Sequence, residues 1–142
     1  LTRNLSIMAK SEVFKYPILG RLFKHYNVFP VNRNKTDAKS LLHSMNIFKQ
    51  DGIQELLIFP EGKVIKDEKE IRKVAKKGVV FISASLNVPI LPVNITRRPK
   101  FFSKVTVTFG KPYYIDKSIL EDKSKIINES KKLVNIIYDL KK

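Results

Sequence analysis

Cysteine and tryptophan are absent from this 142-residue chain, histidine occurs twice, and acidic residues number only 13. Without cysteine there is no disulfide, no thiol nucleophile, no thiolate-held zinc and no iron–sulfur cluster. Two histidines, His25 and His43, 18 positions apart, leave little material for a multi-histidine site, so no metal is expected. A membrane span needs ~20 mostly apolar residues. The longest apolar stretch, Gly78 to Ile95, is broken by Ser83, Ser85, Asn87, Pro89, Pro92 and Asn94. Leu5 to Ala9 is shorter than the ~7–15-residue apolar region of a signal peptide. Because Leu1 is not Met, the chain is expected to start inside a longer protein.

What is present suits one globular domain over 1–142, since 43% of residues are apolar and they are spread evenly. The 28 basic residues exceed the 13 acidic ones by 28 − 13 = 15, a surplus that attracts anions such as phosphate, a membrane surface or nucleic acid. Charge alone does not choose among them. Twenty-two of the 28 are lysines, a bias that genome composition also produces.

Periodicity then orders the chain. Leu5 to Ala9 reads as a strand. Ser11 offers an N-cap to a helical stretch carrying Val13, Phe14, Ile18, Leu19, Leu22 and Phe23, bent or split at Pro17. Val28 to Val31, with Pro30 inside, reads as an edge or terminating strand. Asp37 is placed to cap a helix with Ala38, Leu41, Leu42, Met45 and Phe48 on one face and Gly52 stopping it. Leu56 to Phe59 is apolar on both faces, as a central strand covered by helices would be. A charged loop from Lys63 to Glu70 leads to a helix centred on Val79 to Leu86, and Pro89 to Ile95 reads as a buried strand. Val105, Val107 and Phe109 alternate with threonines in a half-exposed strand, Tyr113 to Ile115 forms a short further one, and an amphipathic helix from Ser118 closes the chain. Alternating strands and helices imply an α/β fold: a mixed, largely parallel sheet flanked by helices.

In such sheets sites gather at the carboxyl ends of strands. Asn32-Arg33 and Phe59-Pro60-Glu61-Gly62-Lys63 stand there. A carboxylate, a glycine that lets a ligand approach the backbone, and a cation form a compact anion pocket, although Pro-Glu-Gly is also a common turn. A P-loop ending at Gly62-Lys63 would need glycine at position 57 and serine or threonine at 64, where Leu57 and Val64 stand. Neither a nucleophile elbow nor a dinucleotide fingerprint occurs.

Taken in order, Lys10-x-Glu12-Val13, Pro17-x-x-Gly20, Phe29-Pro30-Val31-Asn32-Arg33, Phe59-Pro60-Glu61-Gly62, Lys77-Gly78 and Val88-Pro89-Ile90-Leu91-Pro92-Val93 resemble the glycerolipid acyltransferases of the lysophosphatidic acid acyltransferase (PlsC) family. Phe109-Gly110-Lys111-Pro112 resembles that family's closing strand-turn-strand. The resemblance implies the glycerolipid acyltransferase fold and acyl transfer from acyl-CoA or acyl carrier protein to a lysophosphatidate-like glycerol phosphate in phospholipid biosynthesis, with no cofactor. Such chemistry needs a base for the hydroxyl proton and a group that orients it. In the family a histidine followed five positions on by an aspartate does this, whereas His25 is followed at that spacing by Pro30 and His43 by Phe48. The pair is therefore expected upstream of Leu1, and this chain alone is expected to be inactive.

By the same resemblance Arg33 contacts the acceptor's phosphate, and a guanidinium at a strand end independently suits that anion. Glu61 matches the motif glutamate, which binds acceptor hydroxyls or organises its loop; Gly62 and Lys10 match as well, and Lys77 matches a common position. The family's Thr-Arg-Ser is replaced by Lys63-Val64-Ile65, leaving Lys63 or Lys66 to supply the second charge without the arginine fork. Asn27 stands where glycine is usual and tolerates the left-handed turn. Expected partners are the lysophospholipid, the acyl donor and an anionic membrane surface, with Val13 to His25 an interfacial candidate, at the cytoplasmic face of the cell membrane. The rivals are a non-catalytic lipid-phosphate-binding relative and a nucleic-acid-binding domain. No nucleic acid is expected, because the cations are dispersed and lack interleaved aromatics.

Overall fold

The computed structural model describes residues 3–32, 38–63, 75–96 and 104–140. The chain divides into two compact units, Leu1–Phe59 and Pro60–Lys142, each described by itself.

The N-terminal unit is built on a three-stranded parallel sheet of order β2-β1-β3, from β1 (Arg3–Lys10), β2 (Val28–Val31) and β3 (Ile53–Leu57). β1 pairs with both neighbours, Ile7 standing opposite Val28 on one side and Leu57 on the other. The expected central strand therefore changes place. β3 ends at Leu57 and lies at the edge of this sheet, and Phe59 beyond it is 49% exposed. β1 takes the centre because its eight residues offer both backbone edges for pairing.

The expected helix after Ser11 divides at its proline. A 3-10 turn covers Ser11–Lys15, and α1 (Pro17–His25) starts with Pro17 in its first turn, where the missing N–H costs no helical bond. Phe14 and Phe23 meet edge to face at 5.6 Å. Gly20 is buried, and a Cβ there would lie 2.8 Å from the Phe14 carbonyl oxygen. That close backbone approach explains the glycine in Pro17-x-x-Gly20. Asn27, at φ 53°, turns the chain into β2 in the left-handed region, as expected of it.

α2 (Ala38–Ile47) buries Ser40, Ser44 and Ile47, whereas Leu42, expected on the inward face, is 61% exposed. The inward serines are satisfied locally: Ser40 Oγ donates to the Pro30 carbonyl at 3.1 Å and Ser44 Oγ to that of Ser40 at 2.7 Å. Small paired hydroxyls let the helix approach β2 closely, a signal that a search for apolar spacing misses. The proposed cap, Asp37, lies outside the described residues.

The C-terminal unit holds the main core. α3 (Gly78–Leu86) and the long α4 (Lys123–Asp139) contribute Val80, Ala84, Ile126 and Leu133 to one cluster with Ile90 and Ile115. α3 ends at Asn87, left-handed at φ 52°, whose N–H returns to the Ser83 carbonyl, and Pro89 follows to stop further winding. α4 starts at Asp122, which accepts from the Ser124 N–H at 2.7 Å. β4 (Val93–Thr96) and β5 (Thr106–Phe109) pair antiparallel, with Ile95 opposite Val107. Of the expected buried strand, Ile90 pairs with Tyr113 in a lone bridge, and Leu91 and Ile95 are each 49% exposed. Among the described residues no helix is long and apolar enough to cross a membrane.

Candidate functional site

In the N-terminal unit the chain leaves β1, pairs β2 on one side and then returns to place β3 on the other. The carboxyl end of β1 is thus a point where strand order reverses, the position at which open α/β sheets leave a crevice for ligands. Lys10 ends that strand. Its Nζ lies 2.9 Å from Glu12 Oε1, both side chains being well exposed, and the ammonium's hydrogen bond is the main cause holding the Glu12 carboxyl below its usual range. Arg33, expected one residue beyond Asn32 at the end of β2, lies outside the described residues, as does Lys66. The histidines make aromatic contacts: His25 stands edge to face with Tyr26 at 5.3 Å, and His43 tilts against Phe29 at 4.6 Å.

In the C-terminal unit, Pro60-Glu61-Gly62-Lys63 forms a tight turn. Pro60 is buried, Glu61 and Gly62 are half-buried, and Lys63 is exposed. Gly62 has φ 65°, a conformation that side chains with a Cβ adopt only at a cost. The turn is closed by Lys76, whose N–H donates to the Pro60 carbonyl at 2.7 Å. The Lys76 side chain then runs across Gly62, so that a Cβ there would meet Lys76 Cγ at 2.8 Å and Cε at 2.9 Å. Tyr138, on the last turn of α4, donates its hydroxyl to Glu61 Oε1 at 2.9 Å. A carboxylate fixed by a phenol and two lysines on one turn can accept from a ligand's hydroxyls while drawing in an anion.

Of the residues expected from sequence, Glu61, Gly62 and Lys63 are therefore consecutive on one ordered turn. Lys10 belongs to the other unit, and Lys77 is half-buried beside the start of α3. Two residues were missed. In sequence the motif match falls on Lys77, the neighbour of Lys76, and only the closure of the turn distinguishes Lys76. Tyr138 stands 77 positions from Glu61, and nothing in its surroundings in sequence marks it. Among the described residues, no group of three or more His, Cys, Asp and Glu gathers as metal ligands.

The model of the Acyltransferase family matches residues 1–96, which include every block up to Val93. The chain belongs to the acyltransferase family. It is similar to the 1-acyl-sn-glycerol-3-phosphate acyltransferases of Limnanthes douglasii and Limnanthes alba, at 29% identity over 91 residues in each case. The aligned part is 63% of this acyltransferase-family chain and 31% of either relative, so the chain spans about a third of the curated relatives it matches. No solved structure matches it significantly. The α/β architecture with its parallel sheet agrees with the fold expected of the family.

Proposed function

We propose that the protein carrying this chain transfers a fatty acyl group from a thioester, on coenzyme A or acyl carrier protein, to the free hydroxyl of a lysophosphatidate-like acceptor. The acceptor oxygen attacks the thioester carbonyl, the C–O ester bond forms, the C–S bond breaks, and the hydroxyl proton passes through a base to the departing thiol. The resemblance assigns that base to a His–Asp pair, and the reaction as written needs no metal or redox group. The observation carrying this reading is the Glu61-Gly62 turn of an acyltransferase-family chain, with its carboxylate held by Tyr138 and Lys76 laid across its glycine. Lys63 and Lys76 take the place of the absent motif arginine as point charges for the acceptor's phosphate; the resemblance gives Arg33 a phosphate-binding role as well.

The test uses the full-length protein with acyl-CoA or acyl carrier protein thioester and lysophosphatidate, following phosphatidate by mass spectrometry. Phosphatidate formation supports the reading. Arg33→Ala should raise the acceptor KM; a fall in kcat with KM unchanged contradicts a phosphate-binding role. Phosphate binding without turnover in the full-length protein favours the non-catalytic relative instead.

A lysophosphatidate-like acceptor lies in a bilayer, and the reading includes docking at an anionic membrane surface on the cytoplasmic side, with α1 as the docking element. Ile18 is 83% and Leu22 47% exposed, four residues apart and so on one side of the helix, and Tyr26, just past its end, is 60% exposed. The segment Lys15 to His25 carries Lys15, Arg21 and Lys24 and no acidic residue, the composition of a helix that lies in an anionic interface.

A further inference from the structure

The hydrogen bond between Tyr138 and Glu61 joins the motif turn to a helix beyond residues 1–96, the part that the family match covers. Three contacts fix the end of α4 from which Tyr138 reaches. Asn94, buried on β4, donates Nδ2 to the Ile137 carbonyl at 2.9 Å. That carbonyl is one of the last four of the helix, which have no partner within it. Leu140 packs against Gly110, where a Cβ would meet Leu140 Cδ1 at 3.2 Å and Pro92 Cβ at 3.3 Å. Leu133 and Val134, one turn earlier, are 1% and 0% exposed. The phenol therefore projects from a rigid support onto a glutamate that stands half-buried on the turn.

We infer that Tyr138 is a positioning residue for Glu61, selecting the carboxylate orientation that receives the acceptor. The inference rests on the acyltransfer reading and deepens it. A carboxylate has about four lone-pair sites. The bond from Tyr138 engages one on Oε1 and narrows the rotation of the group, so the other oxygen meets the acceptor's hydroxyls over a smaller range of directions. A freely rotating carboxylate would lose that order and bind acceptor less productively. Tyr138 does its work through Glu61 and is not itself expected to touch the reacting atoms.

Tyr138→Phe in the full-length protein tests this, since it keeps the ring and its packing and removes the hydroxyl that donates to Glu61. The expected result is an acceptor kcat/KM lowered about tenfold with the acyl-donor KM within about twofold of wild type. A double-mutant cycle in urea with Glu61→Ala supplies a readout that needs no turnover: the midpoint shift caused by Tyr138→Phe should shrink once Glu61 is gone. Unchanged acceptor kinetics, donor and acceptor constants moving together, or the same midpoint shift in both backgrounds each overturn the assignment. Failure of the wild-type protein to acylate lysophosphatidate overturns the acyltransfer reading and the positioning role with it. An active wild type whose Tyr138→Phe variant is equally active overturns the positioning role alone.

Discussion

In the N-terminal unit Ile47 is the one fully buried large apolar side chain among the described residues, while Tyr16, Ile18 and Tyr26 are each at least 60% exposed. In the C-terminal unit Val80, Ile82, Ile90, Ile115, Ile126, Leu133 and Val134 are all buried. The difference separates two uses of apolar residues. In the C-terminal unit they hold the chain folded, and the motif turn is fastened to that support through Lys76 and Tyr138. In the N-terminal unit the order comes from backbone pairing and close approach, and part of the apolar surface is exposed, the part proposed above to meet a membrane.

The comparison breaks most readily at Leu133. Leu133→Ala should lower the free energy of unfolding by ~2–5 kcal/mol, because the cavity opens in a packed cluster, read as a lower urea midpoint. A loss below 1 kcal/mol would place the core elsewhere. The N-terminal unit should respond to crowding of its backbone instead. Gly20→Ala drives a methyl against the Phe14 carbonyl and should cost ~1–3 kcal/mol, although alanine is ordinarily the better helix former; a stabilised variant would refute the close approach.

Smaller effects sharpen the contrast. Asp122→Ala removes the cap of α4 and should cost ~1 kcal/mol, seen as a matching fall in urea midpoint. Tyr113 Oη is buried without a partner among the described residues. Burial, and then the charge of Glu129, raise the Tyr113 phenol from 10.0 to about 12. A folded value above the unfolded one means that stability is fully present below pH 10 and declines as pH rises towards about 12. Tyr113→Phe should therefore flatten the stability profile across that window, and removing the unpaired hydroxyl should gain ~1 kcal/mol at neutral pH. A parallel profile for the two proteins, measured by urea unfolding at stepped pH, would refute the assignment. The smallest stability change belongs to the exposed face of α1. Ile18→Asp with Leu22→Asp should move stability by less than ~0.5 kcal/mol, yet weaken co-sedimentation of the full-length protein with anionic vesicles several-fold. Equal vesicle binding would remove α1 from the proposed interface.

Much of this contrast was legible in the residues. Hydrophobic spacing located β2, α3 and α4, and Asn27 at a glycine position foretold its left-handed backbone. The ordered motif blocks located Glu61, Gly62 and Lys63 on one turn. Other features depend on contacts that spacing does not encode. Leu42 lies outward because paired serines occupy the inner face of α2, and β3 lies at an edge because β1 pairs on both sides. Lys76 and Tyr138 reach the turn only through chain closure and a long-range hydrogen bond.

The most direct measurement compares acceptors for the full-length protein: kcat/KM for lysophosphatidate against the monoacylglycerol that lacks its phosphate, for wild type and for Lys63→Ala with Lys76→Ala. A cationic turn gripping the headgroup predicts a strong preference for lysophosphatidate in the wild type that falls about tenfold or more in the double variant, largely through acceptor KM. Equal use of both acceptors by the wild type, or a preference that survives loss of both lysines, would contradict it.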